Sequence, residues 1–311
     1  MTPLIEAEHL YRYYDGHCAV NDVNFTLNKG EVLGFLGPNG AGKTTTMQML
    51  CGNLAPSSGL IRISGIDLLD QPRLAKRSLG YMPDTPPLYK DLTVQEFLGY
   101  CAELHGVANN RIRQRLAETQ ERCGLTEVSR RLIGQLSKGY QQRVGIAQAI
   151  VHNPELIVLD EPTVGLDPLQ IREIRALIRE LGQERGIILS THILTEVQES
   201  CTHVQIIHQG RLILHETIGE LNRHMGTASL EIATRTPPDH DALLKIPGVL
   251  SIERLDGHTI RVHHGAKTDP AKEIAEYLVT GGFGLEELKP VKKSMEDVFI
   301  ALTQEPPEHA S

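Results

Sequence analysis

The strongest constraint in the chain is a ten-residue stretch, Leu36-Gly37-Pro38-Asn39-Gly40-Ala41-Gly42-Lys43-Thr44-Thr45. It lies between the apolar run Val32 to Phe35 and the helix-like Thr46 to Leu50. The stretch fits G-x-x-x-x-G-K-T and has the context that pattern requires, a buried strand before it and a helix after it. Its glycines let backbone N–H groups turn inward around phosphate oxygens, and a helix starting near Lys43 aims the positive end of its dipole at them. Lys43 is expected to hold the β and γ phosphates of a nucleoside triphosphate, and Thr44 to give its hydroxyl oxygen to Mg²⁺. The loop alone leaves kinases, GTPases and motor ATPases open.

At 311 residues the chain has room for more than one core, and one large and one small domain are expected. Its 40% hydrophobic and 23% charged composition is that of an ordinary globular protein. No stretch approaches the ~18 uninterrupted apolar residues of a membrane-spanning helix. The opening residues MTPLIEAEHL lack a basic leader and an apolar segment, so the expected location is cytoplasmic. Five scattered cysteines with no C-x-x-C pair read as reduced packing residues. A formal net charge of −8 with no tryptophan argues against a nucleic-acid partner, which would need a basic footprint or base-stacking aromatics.

The first 30 residues alternate short apolar stretches with turn signals at Asp15-Gly16 and Lys29-Gly30, as antiparallel strands do. Val32 to Leu36, Leu156 to Leu159 and Ile187 to Leu189 are short, branched and uncharged, which predicts buried parallel strands of an α/β sheet. Thr93 to His105 and Arg111 to Cys123 carry apolar residues at helical spacing and form an expected helical insertion, about residues 85–136. The texture changes after Leu221, and residues 222–226 read as a connection from a first domain (1–221) to a small α+β domain (227–311). There, Leu250 to Leu255 and His258 to Val262 are two alternating strands around Asp256-Gly257, a two-residue turn that favours positive φ. Helices are expected over Asp239 to Leu244, Asp269 to Val279 and Ser294 to Thr303, with a disordered tail at 305–311.

Four further stretches bear on the chemistry. Leu156 to Leu159 ends in Asp160-Glu161, and a buried run closing in two acids puts charge at the sheet edge where ligands bind in open α/β folds. Asp160 is expected to hold Mg²⁺ and Glu161 to align and deprotonate a water; the plain alternative is two surface acids opening a loop. Ser137-Lys138-Gly139-Tyr140 begins a helix, either as an ordinary cap or as a receiver of an anion. Asp167-Pro168 opens the next helix, where an Asp is usually a cap. Ser190-Thr191-His192 ends a strand, and His192 is either structural or a contact for a terminal phosphate.

Taken in order, GPNGAGKTT, LSKGYQQR, LIVLDEP, GLDP and STH resemble the ATP-binding subunit of an ATP-binding-cassette transporter, over about Leu4 to Gly219. The resemblance implies a P-loop cassette ATPase of the α/β class, with an N-terminal antiparallel β subdomain, a helical insertion and the small C-terminal domain. It disfavours GTPases and kinases, since no N-K-x-D guanine reader occurs. It implies that residues 37–45 cradle ATP, that Asp160 and Thr44 serve Mg²⁺, that Glu161 is the catalytic base and that His192 is the switch histidine. Tyr14 matches the aromatic that stacks on adenine, with Tyr13 and simple strand packing as alternatives. Ser137 and Gly139 match a signature loop that faces the triphosphate of a second ATP-binding subunit, in a homodimer, and Asp167 matches the loop connecting the two sites. The implied partner is a separate integral membrane permease, with the protein peripheral on the inner face of the cell membrane.

Two segments depart from the family pattern, at Asp84 and at Lys138 with Tyr140. Asp84 stands where glutamine is usual; it can accept a Mg²⁺ or water contact, yet it adds negative charge beside Glu161. LSKGY replaces the commoner LSGGQ. Both changes, the segment YMPDTPPLY and the ending Lys293 to Thr303 resemble the branch that works with separate permeases in export. The rival readings are a cassette ATPase acting on ribosomes or DNA and a regulator that binds ATP without turnover. Residues 227–311 read as a packing or dimer-stabilising appendage or as a regulatory ligand site.

Overall fold

A computed structural model describes residues 2–224, 229–265 and 268–291. The helix expected over Ser294 to Thr303, the ending from Lys293, the tail at 305–311 and residues 225–226 of the expected connection lie outside them. The chain divides into two compact units, Met1–Ile218 and Gly219–Ser311.

The first unit begins with β1 (Ile5–Tyr14) and β2 (His17–Leu27), which pair antiparallel as their alternation predicts. Then come β3 (Val32–Leu36), α1 (Lys43–Leu50), β4 (Ser58–Ile63) and β5 (Ile66–Asp67). Strands β2, β1, β4 and β5 form one antiparallel sheet in that order. The short α2 (Pro72–Ala75) leads to β6 (Leu79–Met82), after which the insertion supplies α3 (Val94–Leu104) and α4 (Asn109–Arg122). Helix α3 starts where it does because Thr93 and Glu96 form a capping box: Glu96 N–H donates to Thr93 Oγ1 at 3.3 Å, and Thr93 N–H to Glu96 Oε2 at 2.8 Å.

Next are α5 (Lys138–Ile150), β7 (Leu156–Asp160), α6 (Pro168–Gly182), β8 (Gly186–Thr191), α7 (Leu194–Ser200), β9 (His203–His208) and β10 (Arg211–Thr217). A six-stranded sheet runs β10-β9-β3-β8-β7-β6, parallel except for β10. Every residue of β3, β7 and β8 is buried. The uninterrupted apolar runs have a direct cause. Because side chains alternate across a strand, Ile157 and Leu159 enter the core shared with α3, α5 and α6, while Leu156 and Val158 enter the core shared with α1 and the antiparallel sheet.

Helix α8 (Ile218–His224) spans the division between the units. The second unit contains β11 (Ser229–Thr234), α9 (His240–Leu244), β12 (Val249–Arg254), β13 (Thr259–His264), α10 (Ala271–Thr280) and β14 (Leu285–Val291). The antiparallel order β12-β13-β11-β14 is a split βαβ arrangement. Its core joins Leu230, Ile232, Ile260 and Val262 of the sheet to Leu243, Ile274 and Leu278 of the helices. The expected hairpin is present, but its turn differs from the expected positive-φ pair, since Gly257 is not in the left-handed region. Asp256 Oδ1 instead accepts the amides of His258 and Thr259, both at 2.7 Å, so a side chain closes the turn.

Candidate nucleotide site

The parallel strands release their loops at one edge. In register, Leu36 pairs with Thr191, Asp160 with Ser190 and Met82 with Leu159. The glycine loop, Glu161, His192 and Asp84 therefore leave neighbouring strand ends. They border a cavity of about 380 Å³. Asn39, Gly40, Gly42, Lys43, Thr44 and Thr45 line it from the loop and α1, and Asp84, Glu161 and His192 face them; Ala19 and Val164 complete the rim.

The loop geometry explains its glycines. Gly40 and Gly42 have φ of 80° and 105°. A Cβ on Gly37 would come within 2.4 Å of Ile207 O, and one on Gly42 within 2.6 Å of Ala19 O. Pro38 O accepts the Ala41 amide at 3.2 Å, which tightens the turn into α1. Because α1 begins at Lys43, the first-turn amides have no intrahelical acceptor and present a donor-rich, positive end to the cavity. Lys43 is 6% exposed, and its ammonium donates to Gly37 O at 2.8 Å and Pro38 O at 3.2 Å. Burial lowers its pKa, and the charges of Glu161, 3.8 Å away, and Asp160 work against that.

The two acids occupy different environments. Asp160 is fully buried behind the cavity wall, and neither of its carboxyl oxygens has a hydrogen-bond partner. Burial pushes its pKa up; the nearby Ser190 hydroxyl opposes this without completing a hydrogen bond, and the charge of Asp84 adds to it. Glu161 turns into the cavity through a left-handed backbone, φ 48°, a conformation costing on the order of 1–3 kcal/mol for such a residue. Its amide is tied to Ser190 O at 3.0 Å. His192 Nδ1 lies 3.0 Å from both Glu161 oxygens. Burial raises the Glu161 pKa, with the His192 hydrogen bond and charge and then Lys43 holding it back.

This donor set suits a hard cation. Thr44 gives a hydroxyl, Asp84 a carboxylate at the rim, and Asp160 two buried oxygens with no protein partner. Among the described residues no group of three or more His, Cys, Asp or Glu side chains forms a cage for a metal. An ion here would complete its shell with water and phosphate oxygens, as Mg²⁺ does.

Of the expected site residues, Gly37, Pro38, Ala41 and Asp160 do not line this cavity, and Tyr14, Ser137, Gly139 and Asp167 belong to other parts of the first unit. Tyr14 is 42% exposed near the tip of the β1–β2 hairpin, with the Arg12 guanidinium 4.7 Å from its ring centroid; Tyr13 is 49% exposed and stacks on Tyr11. Ser137 is the exposed N-cap of α5 and accepts the Tyr140 amide. Gly139 packs against the Gln170 side chain. Asp167 caps α6, accepting the amides of Leu169 and Gln170 at 3.0 Å each. Sequence reasoning overlooked Glu196, a carboxylate only 1% exposed behind the Glu161 and His192 loops. Its one signal, an acid in the first turn of a helix just after Ser190-Thr191-His192, does not distinguish it from a surface acid.

Residues 20–164 match the family model described as ABC transporter, and 217–303 the one described as ATP-binding protein DrrA1-3-like, C-terminal domain. The bacitracin transport ATP-binding protein BcrA of Bacillus licheniformis is 40% identical over 310 residues, 97% of this chain and 98% of that protein. An uncharacterised ABC transporter ATP-binding protein of Bacillus subtilis, YxlF, is 38% identical over 72% of this chain and 74% of its own length. A solved ATP-binding subunit of an ABC transporter superposes with a TM-score of 0.65 at 34% identity, covering 71% of this chain and 92% of that one.

Proposed function

Because the chain belongs to the ATP-binding subunits of ABC transporters, which hydrolyse ATP to power transport, we propose that Glu161 is the base that activates water for transfer of the γ-phosphoryl group. The observation that carries this reading is the meeting of Lys43, Thr44, Glu161 and His192 on one cavity at the carboxyl edge of the parallel sheet. Each group has a distinct task. The glycine loop and the first turn of α1 supply donors to phosphate oxygens, and Lys43 exchanges its two carbonyl acceptors for the β and γ phosphates. Glu161, its pKa raised by burial, is a stronger base than a solvated carboxylate and accepts the proton of the attacking water. His192 orients Glu161 from one side and stands beside the position of the terminal phosphate. Thr44 and, through water, Asp160 and Asp84 would hold Mg²⁺, which would supply positive charge against the triphosphate.

In this reading ATP is also the adhesive between two subunits. Ser137 and Asp167 are exposed at helix starts outside the chain's own cavity, which supports their assignment to the triphosphate of a second copy; Gly139, buried against Gln170, shares the first turn that Ser137 caps. The amides at the start of α5 then close over the γ phosphate from the other side, so that ATP shuts the dimer and hydrolysis releases it. Tyr14 stacks on adenine. No helix among the described residues is long and apolar enough to cross a membrane, and the pathway is supplied by a separate integral permease, with the dimer bound at the inner face of the membrane. The relative named for bacitracin transport favours coupling to transport over action on ribosomes or DNA, and the proposed direction is export.

The test is Glu161→Gln with Mg·ATP. Steady-state phosphate release is expected to fall by about 10²-fold or more, and size-exclusion chromatography is expected to show an ATP-bound dimer, since closure survives while hydrolysis stops. Retained turnover, or a monomer at saturating Mg·ATP, would refute the assignment.

A further inference from the structure

Glu196 sits at the start of α7, and its side chain touches both catalytic loops. Its two carboxylate oxygens are divided between them. Thr163, two residues after Glu161, donates its hydroxyl to Oε1, and Thr191, immediately before His192, donates to Oε2 at 2.8 Å. The donors are as enclosed as the acceptor: Thr163 is 4% exposed, Thr191 0% and Glu196 1%. The Thr191 hydroxyl also accepts the Ile193 amide at 3.1 Å, so one oxygen fixes the backbone on both sides of His192. Across the cluster, Arg175 of α6 brings a guanidinium nitrogen to 4.0 Å from Glu196 Oε1 while bonding Glu199 Oε2 at 2.7 Å.

We infer that Glu196 is a positioning residue for hydrolysis: it clips the Glu161 loop to the His192 loop and so sets the geometry of the base and its histidine. This rests on the assignment of Glu161 and His192 above. The physical need is visible in their exposure. The His192 side chain is 45% exposed, so water competes for its contact with Glu161, and the two residues leave different strands. On the cavity side their separation rests on that exposed contact and on the Glu161 amide's bond to Ser190 O at 3.0 Å, which holds the backbone but not the two side chains. A carboxylate can only accept, and inside the core one threonine hydroxyl meets each oxygen, with the Arg175 guanidinium 4.0 Å from Oε1, whereas a water-exposed contact has many competitors. The same carboxylate faces Arg175, on the helix that Asp167 caps, so the helix behind the expected intersubunit loop meets the clip at its charged end.

The test compares Thr163→Val and Thr191→Val, which keep shape and lose the hydroxyl, with Thr163→Ser and Thr191→Ser, which keep it, and with Glu196→Gln, all in the full chain with Mg·ATP. Loss of the clip allows the base to drift, and displacements near 1 Å cost about 10²-fold in rate. The Val variants are therefore expected to lose about 10- to 100-fold in kcat with KM and fluorescent-ATP affinity within about twofold, while the Ser variants stay within about twofold of the parent. Glu196→Gln retains one acceptor and is expected to fall between them. The proposal is overturned if the Val variants turn over at the rate of the Ser variants, if Val and Ser variants lose rate equally, or if the loss lies in KM. Glu161→Gln serves as the control: turnover that persists there refutes the catalytic assignment itself, whereas its abolition alongside active Val variants refutes only the clip.

Discussion

Asp160→Asn should make the nucleotide-free protein more stable, although it removes a residue assigned to the metal site. The Asp160 side chain is 0% exposed, and both oxygens lack a hydrogen-bond partner. Its neighbour Ser190 Oγ is likewise buried and unpaired. A buried acceptor left unmatched costs about 1–3 kcal/mol, and more when charged. Burial raises the Asp160 pKa, and the nearby Ser190 and Thr44 hydroxyls and then the Lys43 ammonium oppose that and return only part of the cost. An amide carries no charge and can donate to Ser190 Oγ, so a net gain of about 1–2 kcal/mol is expected. For a unit of 150–250 residues each kcal/mol moves Tm by about 2–4 °C, which gives a rise of about 2–8 °C for the first unit. Scanning calorimetry in EDTA, then with saturating Mg·ATP, checks both halves of the argument. The parent should gain stability from the ligand with Mg²⁺ over the ligand in EDTA, and the variant should lose most of that difference. An unchanged or lower Tm for the metal-free variant would show that Asp160 is adequately solvated or paired, and the reasoning would fail.

Lys43→Ala removes the buried ammonium held by Gly37 O and Pro38 O. Its kcat/KM for ATP is expected to fall by about 10²-fold or more, because charge-assisted contacts to two phosphates are lost; phosphate release at the parental rate would contradict the cradle. His152 offers a test by pH. Its Nε2 lies 3.0 Å from Leu79 O, its ring stacks on His105 at 3.8 Å between centroids, and burial pushes its pKa down to about 4. The unfolded chain, with a histidine near 6.5, then binds the proton more readily, so stability present above pH 6.5 is lost as pH falls toward 4. The loss reaches about 2 kcal/mol by pH 5. Melting curves of His152→Gln from pH 7.5 to 5 should lack that part of the acid slope, and parallel slopes for the two proteins would refute it.

Much of this was legible in the sequence because it is local. A glycine at φ 105° and a helix opening at Lys43 follow from backbone sterics and the dipole within a few residues. Ser137, Thr93 and Asp167 occupy helix starts because their side-chain oxygens satisfy first-turn amides nearby. The two-sided burial of β3, β7 and β8 could be read from runs without polar breaks. The turn at Asp256 shows where local reading stops: a side-chain acceptor and a positive-φ backbone close similar bends, and an Asp-Gly pair does not say which.

The tertiary structure alone decided which ends meet. Strand order and register come from pairings between residues far apart in the chain, and composition does not encode them. The order β3-β8-β7-β6 sets the glycine loop, His192, Glu161 and Asp84 side by side, and register brings His192 to 3.0 Å from a glutamate 31 positions earlier. Burial of a charge is non-local in the same way. Glu196 reads as one more acid on a helix until Thr163, Thr191 and Arg175 surround it, because only packing removes water from a carboxylate and gives it partners instead.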